Sequence, residues 1–437
     1  MEEENKKSVA SRSPKTKIIL VAAFLVVIGL VVAGSALFRP SEKKEPIADP
    51  PVTMALEASR VPKDATIGIV VTYGDSEGSE WRDSANGALV AAKRFELGGT
   101  SIAIETRDDR GTVDGARSAV EDLKKSNVSG IVLASSGSHV SGALDEAQKS
   151  GIPVVLPYYS GPLAQYSDVY RTSASNKDVA SALNKIVQPA TNPLLLNAGG
   201  QALEGLTAGQ VRDVGASEDL GAVAKSVHSL ATSDRNFPID AVVINGTAQR
   251  QAQLVAALQK AKIGLPIALS PQATSPVFAL SLLAENASLS SELTSVGSQS
   301  FDDAALSSGA SGQAMNSYLS VLQQMATDED SLSLAGDRPF AEVAPVADSR
   351  AHDAVVAMVR AIEDARSTQP QKVAKNLHGL SLGIDDGLTQ GTLKFSSEEA
   401  FVGQPKELRL ANQDLGLRSM NTKDRSAKQW FAVTAAQ

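Results

Sequence analysis

The chain has 437 residues, 43% of them hydrophobic and 21% charged, a composition typical of a folded protein that is long enough to bury two separate cores. Its formal net charge of -8 argues against nucleic acid as a partner, because that function needs a basic surface. The sequence has no cysteine, which excludes disulfides, thiolate nucleophiles, cysteine metal clusters and a lipidated cysteine anchor.

An uncharged apolar segment occupies residues 18–38. At about 1.5 Å per residue a helix of this length matches a hydrocarbon core of about 30 Å. Lysines and arginines within residues 1–17 favour a cytoplasmic N-terminus. We therefore expect a cytoplasmic tail (1–17) and a single-pass transmembrane anchor (18–38). The alternative is a cleaved signal peptide with its small-residue cleavage site at 33–36, which would give a secreted protein. Under either interpretation, the part of the chain after residue 40 is exported.

The stretch 39–62 is rich in proline and predicts a semi-extended stalk. Beyond it, short apolar runs alternate with segments whose apolar residues recur at helical spacing. This alternation is typical of parallel sheets covered by helices. The predicted strands are 66–71, 101–105, 131–134 and 153–156, then 194–196, 241–244 and 266–269, with a late strand at 391–395. Open sheets of this kind bind ligands at the carboxyl ends of their strands.

Five short motifs in this order resemble a known family: 86–88 (Asn-Gly-Ala), 107–111 (Arg-Asp-Asp-Arg-Gly), 135–138 (Ser-Ser-Gly-Ser), 151–157 (Gly-Ile-Pro-Val-Val-Leu-Pro) and 170–172 (Tyr-Arg-Thr). The family is that of the type I periplasmic binding proteins, leucine/isoleucine/valine-binding subgroup. The resemblance spans about residues 64–410. It is looser at 351–355, where His352 replaces a tyrosine, and at 387–396.

The resemblance implies an α/β fold with two doubly wound parallel-sheet lobes and a hinge, here preceded by one transmembrane helix. We expect lobe 1 at 63–180, lobe 2 at 181–300, a return to lobe 1 with the hinge at 301–385, and the end of lobe 2 with the C-terminal tail at 386–437. It also implies that the two lobes close on a small ligand and perform no catalytic chemistry.

The serine-rich loop at 135–138 is the first candidate part of a ligand site. In the family, hydroxyls and backbone amides of this loop hold the amino-acid carboxylate, which makes Ser136 and Ser138 predicted ligand contacts. Small side chains and glycine let backbone N–H groups approach an anion, next to the positive end of the following helix. The alternative is that these serines only cap that helix.

Aromatic residues on two further loops complete the predicted site in lobe 1. By position in the family, Tyr159 would offer its backbone carbonyl to an ammonium and Ser160 its hydroxyl. Trp81 lies in the loop after the first strand, near where the family presents an aromatic lid. The alternative for the aromatic residues is packing at the rim of the cleft.

Lobe 2 departs from the family pattern. Amino-acid-binding members carry an acidic residue after the strand that corresponds to 267–269, whereas this chain continues Ser-Pro-Gln at 270–272. A buried ammonium without a carboxylate would be costly, which counts against a zwitterionic amino acid. We expect Asn245 and Gln272 either to face a neutral polar ligand or to belong to a lobe that has lost binding.

The four histidines show no metal-binding spacing, and no nucleophile elbow, phosphate loop or dinucleotide motif is present. We therefore expect no enzyme activity, metal or cofactor. The sequence predicts a membrane-anchored, extracytoplasmic binding protein for a small polar solute, with amino-acid-like ligands among the candidates, that serves an ABC-type permease or another membrane partner. The alternative is an envelope interaction or sensor module that keeps the fold but has a degenerate site.

Overall fold

The computed structural model describes residues 49–51, 53–74, 76–232, 237–288, 292–298, 301–412, 415–418 and 429–433. The predicted cytoplasmic tail, the predicted transmembrane anchor and most of the predicted stalk lie outside these residues. Within the described part of the chain, no helix combines the length and apolarity needed to cross a membrane.

The first sheet has five parallel strands in the order β2-β1-β3-β4-β5. Its strands are β1 (Thr66–Val71), β2 (Ala103–Asp108), β3 (Gly130–Leu133), β4 (Val154–Leu156) and β5 (Val169–Arg171), connected by helices α1 (Gly87–Leu97), α2 (Val113–Lys125) and α3 (Val140–Ser150). Strands β3 and β4 are buried throughout, as expected for a parallel sheet covered on both faces.

The second sheet has seven strands in the order β15-β14-β10-β9-β8-β6-β7, of which β14 and β15 run antiparallel to their neighbours. Its strands are β6 (Pro193–Ala198), β7 (Gln210–Asp213), β8 (Ala241–Gly246), β9 (Ile267–Leu269), β10 (Leu293–Gly297), β14 (Lys406–Ala411) and β15 (Gln429–Ala432). Helices α4 (Asn176–Val187), α5 (Leu220–Thr232), α6 (Ala248–Lys260) and α7 (Pro276–Ala284) cover it.

The chain then returns to the first sheet. The returning elements are α8 (Ala310–Thr327), α9 (Phe340–Val343), α10 (Ser349–Ala365), α11 (Pro370–Leu377) and a small antiparallel sheet of β11 (Ser381–Leu382), β12 (Thr392–Lys394) and β13 (Phe401–Val402). Helix α10 is buried along most of its length and packs on α1 and β3. The small sheet joins the same core through Leu393.

We call the first sheet with α1–α3, α8–α11 and the small sheet lobe 1, and the second sheet with α4–α7 lobe 2. Each has its own hydrophobic core on both faces of its sheet. The predicted α/β fold with parallel sheets is confirmed. The structure shifts the second strand from the predicted 101–105 to Ala103–Asp108, because the strand is half-buried and lacks the apolar run that marks its neighbours.

Candidate ligand site

A small cavity lies where the carboxyl ends of the parallel strands of both lobes meet. Its lining comes from the loops that follow β1, β3 and β4 of lobe 1 and β6, β8 and β9 of lobe 2. Its volume is only about 30 Å³, roughly the share of one water molecule, whereas pockets for small ligands usually measure about 300–1,000 Å³. Protein groups therefore leave little room for a solute at this point between the lobes.

The structure brings four of the predicted site residues together at this cavity: Ser136, Tyr159, Ser160 and Gln272. Asn245 lies just behind them, buried, and its amide donates a hydrogen bond of 2.9 Å to the carbonyl of Gln201. Because Gln201 itself lines the cavity, the side chain of Asn245 positions the lobe 2 wall.

The two other predicted residues lie elsewhere. Trp81 is 2% exposed and stacks on Tyr158, with ring centroids 4.5 Å apart and planes 2° from parallel. The guanidinium of Arg350 lies 4.7 Å and 4.9 Å from the centroids of these two rings. Trp81 thus packs inside the protein. Ser138 is exposed, and its hydroxyl donates a hydrogen bond of 3.3 Å to the carboxylate of Glu77.

Tyr159 and Gln272 already have hydrogen-bonding partners within their own lobes. The backbone carbonyl of Tyr159, which the family comparison predicted to meet an ammonium, accepts a hydrogen bond of 3.2 Å from Ser173. The side-chain oxygen of Gln272 accepts one of 3.0 Å from Ser270. A solute that used either group would therefore compete with a contact inside the protein.

The central side chain of the site is one that the sequence reasoning missed. Glu80, 9% exposed, comes from the loop after β1 in lobe 1. One carboxylate oxygen accepts from the hydroxyl of Ser136 at 3.3 Å, and the other accepts from the backbone N–H of Ala248 at 3.0 Å. The backbone carbonyl of Glu80 accepts from the hydroxyl of Ser275 at 2.9 Å. Glu80 therefore joins Ser136 of lobe 1 to the first residue of α6 and to the N-cap residue of α7 in lobe 2.

Helix geometry explains why the N–H of Ala248 in lobe 2 is available to Glu80. The first N–H groups of a helix have no partner within it, and the helix dipole places partial positive charge there. In α6 the side chain of Thr247 caps one of these groups, the N–H of Arg250, while the N–H of Ala248 is left for Glu80. The sequence did contain a signal for Glu80 as a site residue, since it is an acid in a Gly/Ser-rich loop that directly follows a buried strand.

Burial raises the pKa of Glu80 to about 7, against the effect of the hydrogen bonds from Ala248 and Ser136, which favour the charged form. The nearby carboxylate of Glu77 raises it further. Glu77 and Glu80 are the only charged side chains among the described residues that line the cavity. No basic side chain of the lining offsets their charge.

Two glycines allow the Glu80 loop to approach the serine loop. Gly78 has φ 96°, and a Cβ there would lie 2.4 Å from the carbonyl oxygen of Ser136. Gly137 has φ 114°, and a Cβ there would lie 2.6 Å from the carboxyl carbon of Glu77. A side chain at either position would strain the backbone, and at Gly78 it would also clash with the backbone of Ser136, whereas the exposed side chain of Glu77 can move away from a Cβ at position 137.

A buried polar network supports the serine loop from below. Asp109 accepts hydrogen bonds from Thr72 at 2.7 Å, from the N–H of Gly111 at 2.9 Å and from Nε2 of His139 at 3.1 Å. Burial opposes ionisation, but these bonds together lower the pKa of Asp109. Nε2 of His139 also lies 3.0 Å from the hydroxyl of Ser135. The same nitrogen of His139 thus contacts both Asp109 and Ser135. In a catalytic triad, by contrast, one ring nitrogen contacts the nucleophile and the other contacts the acid.

The described residues contain no cluster of three or more histidine, aspartate or glutamate side chains placed to hold a metal ion. On the lobe 2 side, the cavity lining is uncharged: it includes Thr247 and Gln272. The arrangement can hold a polar group by hydrogen bonds from both lobes.

Two α/β lobes with a polar cavity at the carboxyl ends of both sheets define a two-lobed binding protein. The chain belongs to the periplasmic binding protein family, whose model matches residues 65–408. The predicted resemblance to the type I members of that family is confirmed. A search of curated proteins found no match.

Several solved structures share this fold. The branched-chain amino acid transporter substrate binding protein LivJ from Streptococcus pneumoniae, in complex with isoleucine, has 15% identity and a TM-score of 0.61, covering 84% of this chain and 99% of its own. The leucine binding protein LivK from Thermotoga maritima has 16% identity and a TM-score of 0.58, covering 84% and 98%. A type 1 periplasmic binding protein from Bordetella pertussis has 14% identity and a TM-score of 0.59, covering 84% and 99%.

Proposed function

We propose that this chain is an extracytoplasmic solute-binding protein that captures a small polar solute between its lobes and presents it to an ABC-type transporter, with residues 18–38 as its membrane anchor. The observation that carries the proposal is the convergence of six strand-end loops, three from each lobe, on one polar cavity. Membership of the periplasmic binding protein family supports it.

Capture by closure needs flexible connections between the lobes. The chain passes from lobe 1 to lobe 2 between β5 and α4, returns between β10 and α8, and passes again between β13 and β14. Short segments of this kind act as hinges in two-lobed binding proteins, and a ligand that touches both lobes only in the closed form shifts the equilibrium towards closure.

The charges of the cavity favour a solute without a carboxylate. Glu77 and Glu80 would repel an anion, while the hydroxyls of Ser136 and Ser160 and the amide of Gln272 can bind neutral polar groups. The two acids also offer partners to an amine, from lobe 1 rather than from the lobe 2 position that the family uses. We therefore propose a neutral or cationic polar solute, with Asn245 holding the lobe 2 wall.

A thermal-shift screen of the full chain in mild detergent tests this proposal. The library contains amines, amides, amino acids, sugars and short peptides, and a solute at 100 times its Kd stabilises the protein by about 2.7 kcal/mol. The double variant Ser160→Ala/Gln272→Ala should lose the shift. The control Ser229→Ala should keep it, because Ser229 is exposed on α5 and its hydroxyl bonds to the carbonyl of Lys225, away from the cavity lining. A shift that survives the double variant would place binding elsewhere.

The second candidate function is an envelope interaction or sensor module with a degenerate site. The volume of the cavity, about 30 Å³, favours it, because an amino-acid-sized solute does not fit without movement of the lobes. A screen without any shift, together with a membrane protein that co-purifies with the full chain, would support this second function over the first.

A further inference from the structure

The side chain of Glu80 bridges the two lobes. Its two oxygens accept from donors on opposite sides of the cavity, the hydroxyl of Ser136 in lobe 1 and the N–H of Ala248 at the start of α6 in lobe 2. Groups that bridge two lobes in this way are normally supplied by a ligand, which stabilises the closed form by contacts that exist only there. Here a side chain of the protein makes them.

We propose that Glu80 is a tethered ligand of the cleft, whose carboxyl group holds the two lobes together without a solute and whose departure opens the site. The proposal goes beyond solute binding, because it concerns the empty protein and holds whether or not a solute is ever captured. It also assigns a specificity: a free carboxylate can bind at Ser136 and Ala248 only when Glu80 has left.

Three features distinguish this contact from ordinary packing. The carboxylate is buried with no basic side chain in the lining to pair it, an arrangement that is costly and is rarely kept for stability alone. The donors that it satisfies belong to different lobes. The loop that carries it approaches the serine loop closely at Gly78, where a Cβ would lie 2.4 Å from the carbonyl oxygen of Ser136, so the backbone fixes this approach.

Spin-label distance measurements on the solute-free full chain test the proposal. The chain has no cysteine, so Gln148→Cys on α3 and Lys225→Cys on α5, both exposed, give one label on each lobe. We expect a single short distance in this parent and a second, longer population after Glu80→Ala. Glu96→Ala is the matched control, because Glu96 is exposed on α1 and bonds to Lys93 within lobe 1, away from the cavity lining; it should leave the distance unchanged.

Chemical rescue separates a ligand-like role from general loosening. Propionate at pH 6 should restore the short distance in Glu80→Ala and have no effect on the parent, while propionamide should restore it less. If Glu80→Ala keeps the parent distance, or opens without responding to propionate, the tethered-ligand proposal is overturned.

A second variant keeps the test decisive if Glu80→Ala does not fold. Glu80→Asp retains the acid but is one methylene shorter, so it cannot span from Ser136 to Ala248 and should also show the longer population. A parent-like distance in Glu80→Asp would equally overturn the proposal. These measurements do not depend on solute binding by the parent, so their failure leaves the solute-binding proposal intact, and a silent solute screen leaves the tethered ligand intact.

Discussion

Replacing Glu80 with glutamine should remove a pH dependence of stability that the buried carboxyl creates. Its pKa in the folded protein is about 7, against an ordinary value of 4.5. A raised carboxyl pKa contributes stability that is fully present below pH 4.5 and is lost as the pH rises through 7. At about 1.4 kcal/mol for each pH unit between the two values, the full contribution is about 3 kcal/mol.

The Glu80→Gln variant carries no titrating proton at this position, and its amide oxygen can still accept from Ala248. The difference in free energy of unfolding, variant minus wild type, should therefore increase by about 3 kcal/mol between pH 4.5 and pH 8. Urea titrations followed by circular dichroism at half-unit pH steps measure this difference. The comparison between the two proteins cancels the titration of other groups that are common to both.

Two results would refute this reasoning. Parallel pH profiles for the two proteins would mean that Glu80 is solvated and titrates normally. A profile in which wild type gains stability relative to Glu80→Gln as the pH rises would mean that the hydrogen bonds from Ala248 and Ser136 outweigh burial, so that the folded pKa lies below 4.5.

Further predictions concern the structure around the cavity. Trp81→Ala should destabilise the protein by about 3–5 kcal/mol in urea titrations, because its ring is stacked in the interior; an unchanged midpoint would favour a surface lid. Gly78→Ala should lower the Tm more than Gly74→Ala, since both glycines have positive φ but only the Cβ at Gly78 clashes; equal losses would contradict the close approach. Asp109→Asn should cost about 1–3 kcal/mol at pH 7, and the loss should shrink as acid protonates the wild-type carboxyl below its lowered pKa, a trend that calorimetry across pH would test.

The sequence predicted which loops meet at the cavity, but it did not predict the directions of individual side chains. Ser136, Tyr159 and Ser160 follow strands whose apolar runs are easy to recognise, and loops at the carboxyl ends of parallel strands converge at one edge. Trp81 follows β1 in the same way, but sequence position gives no side-chain direction, and its ring turns into the interior against Tyr158. Ser138 is two residues from Ser136, yet it faces the solvent side.

The sequence by itself determined the alternation of strands and helices, because burial on both faces of a sheet demands continuous apolar runs. It also determined the family, through short motifs on strands, on the loops next to them and at the start of α1. Only the tertiary structure decided that Glu80 crosses the cleft to Ala248. Those residues are far apart in the chain, and their pairing depends on how two separately folded sheets face each other, a relation that no local pattern records.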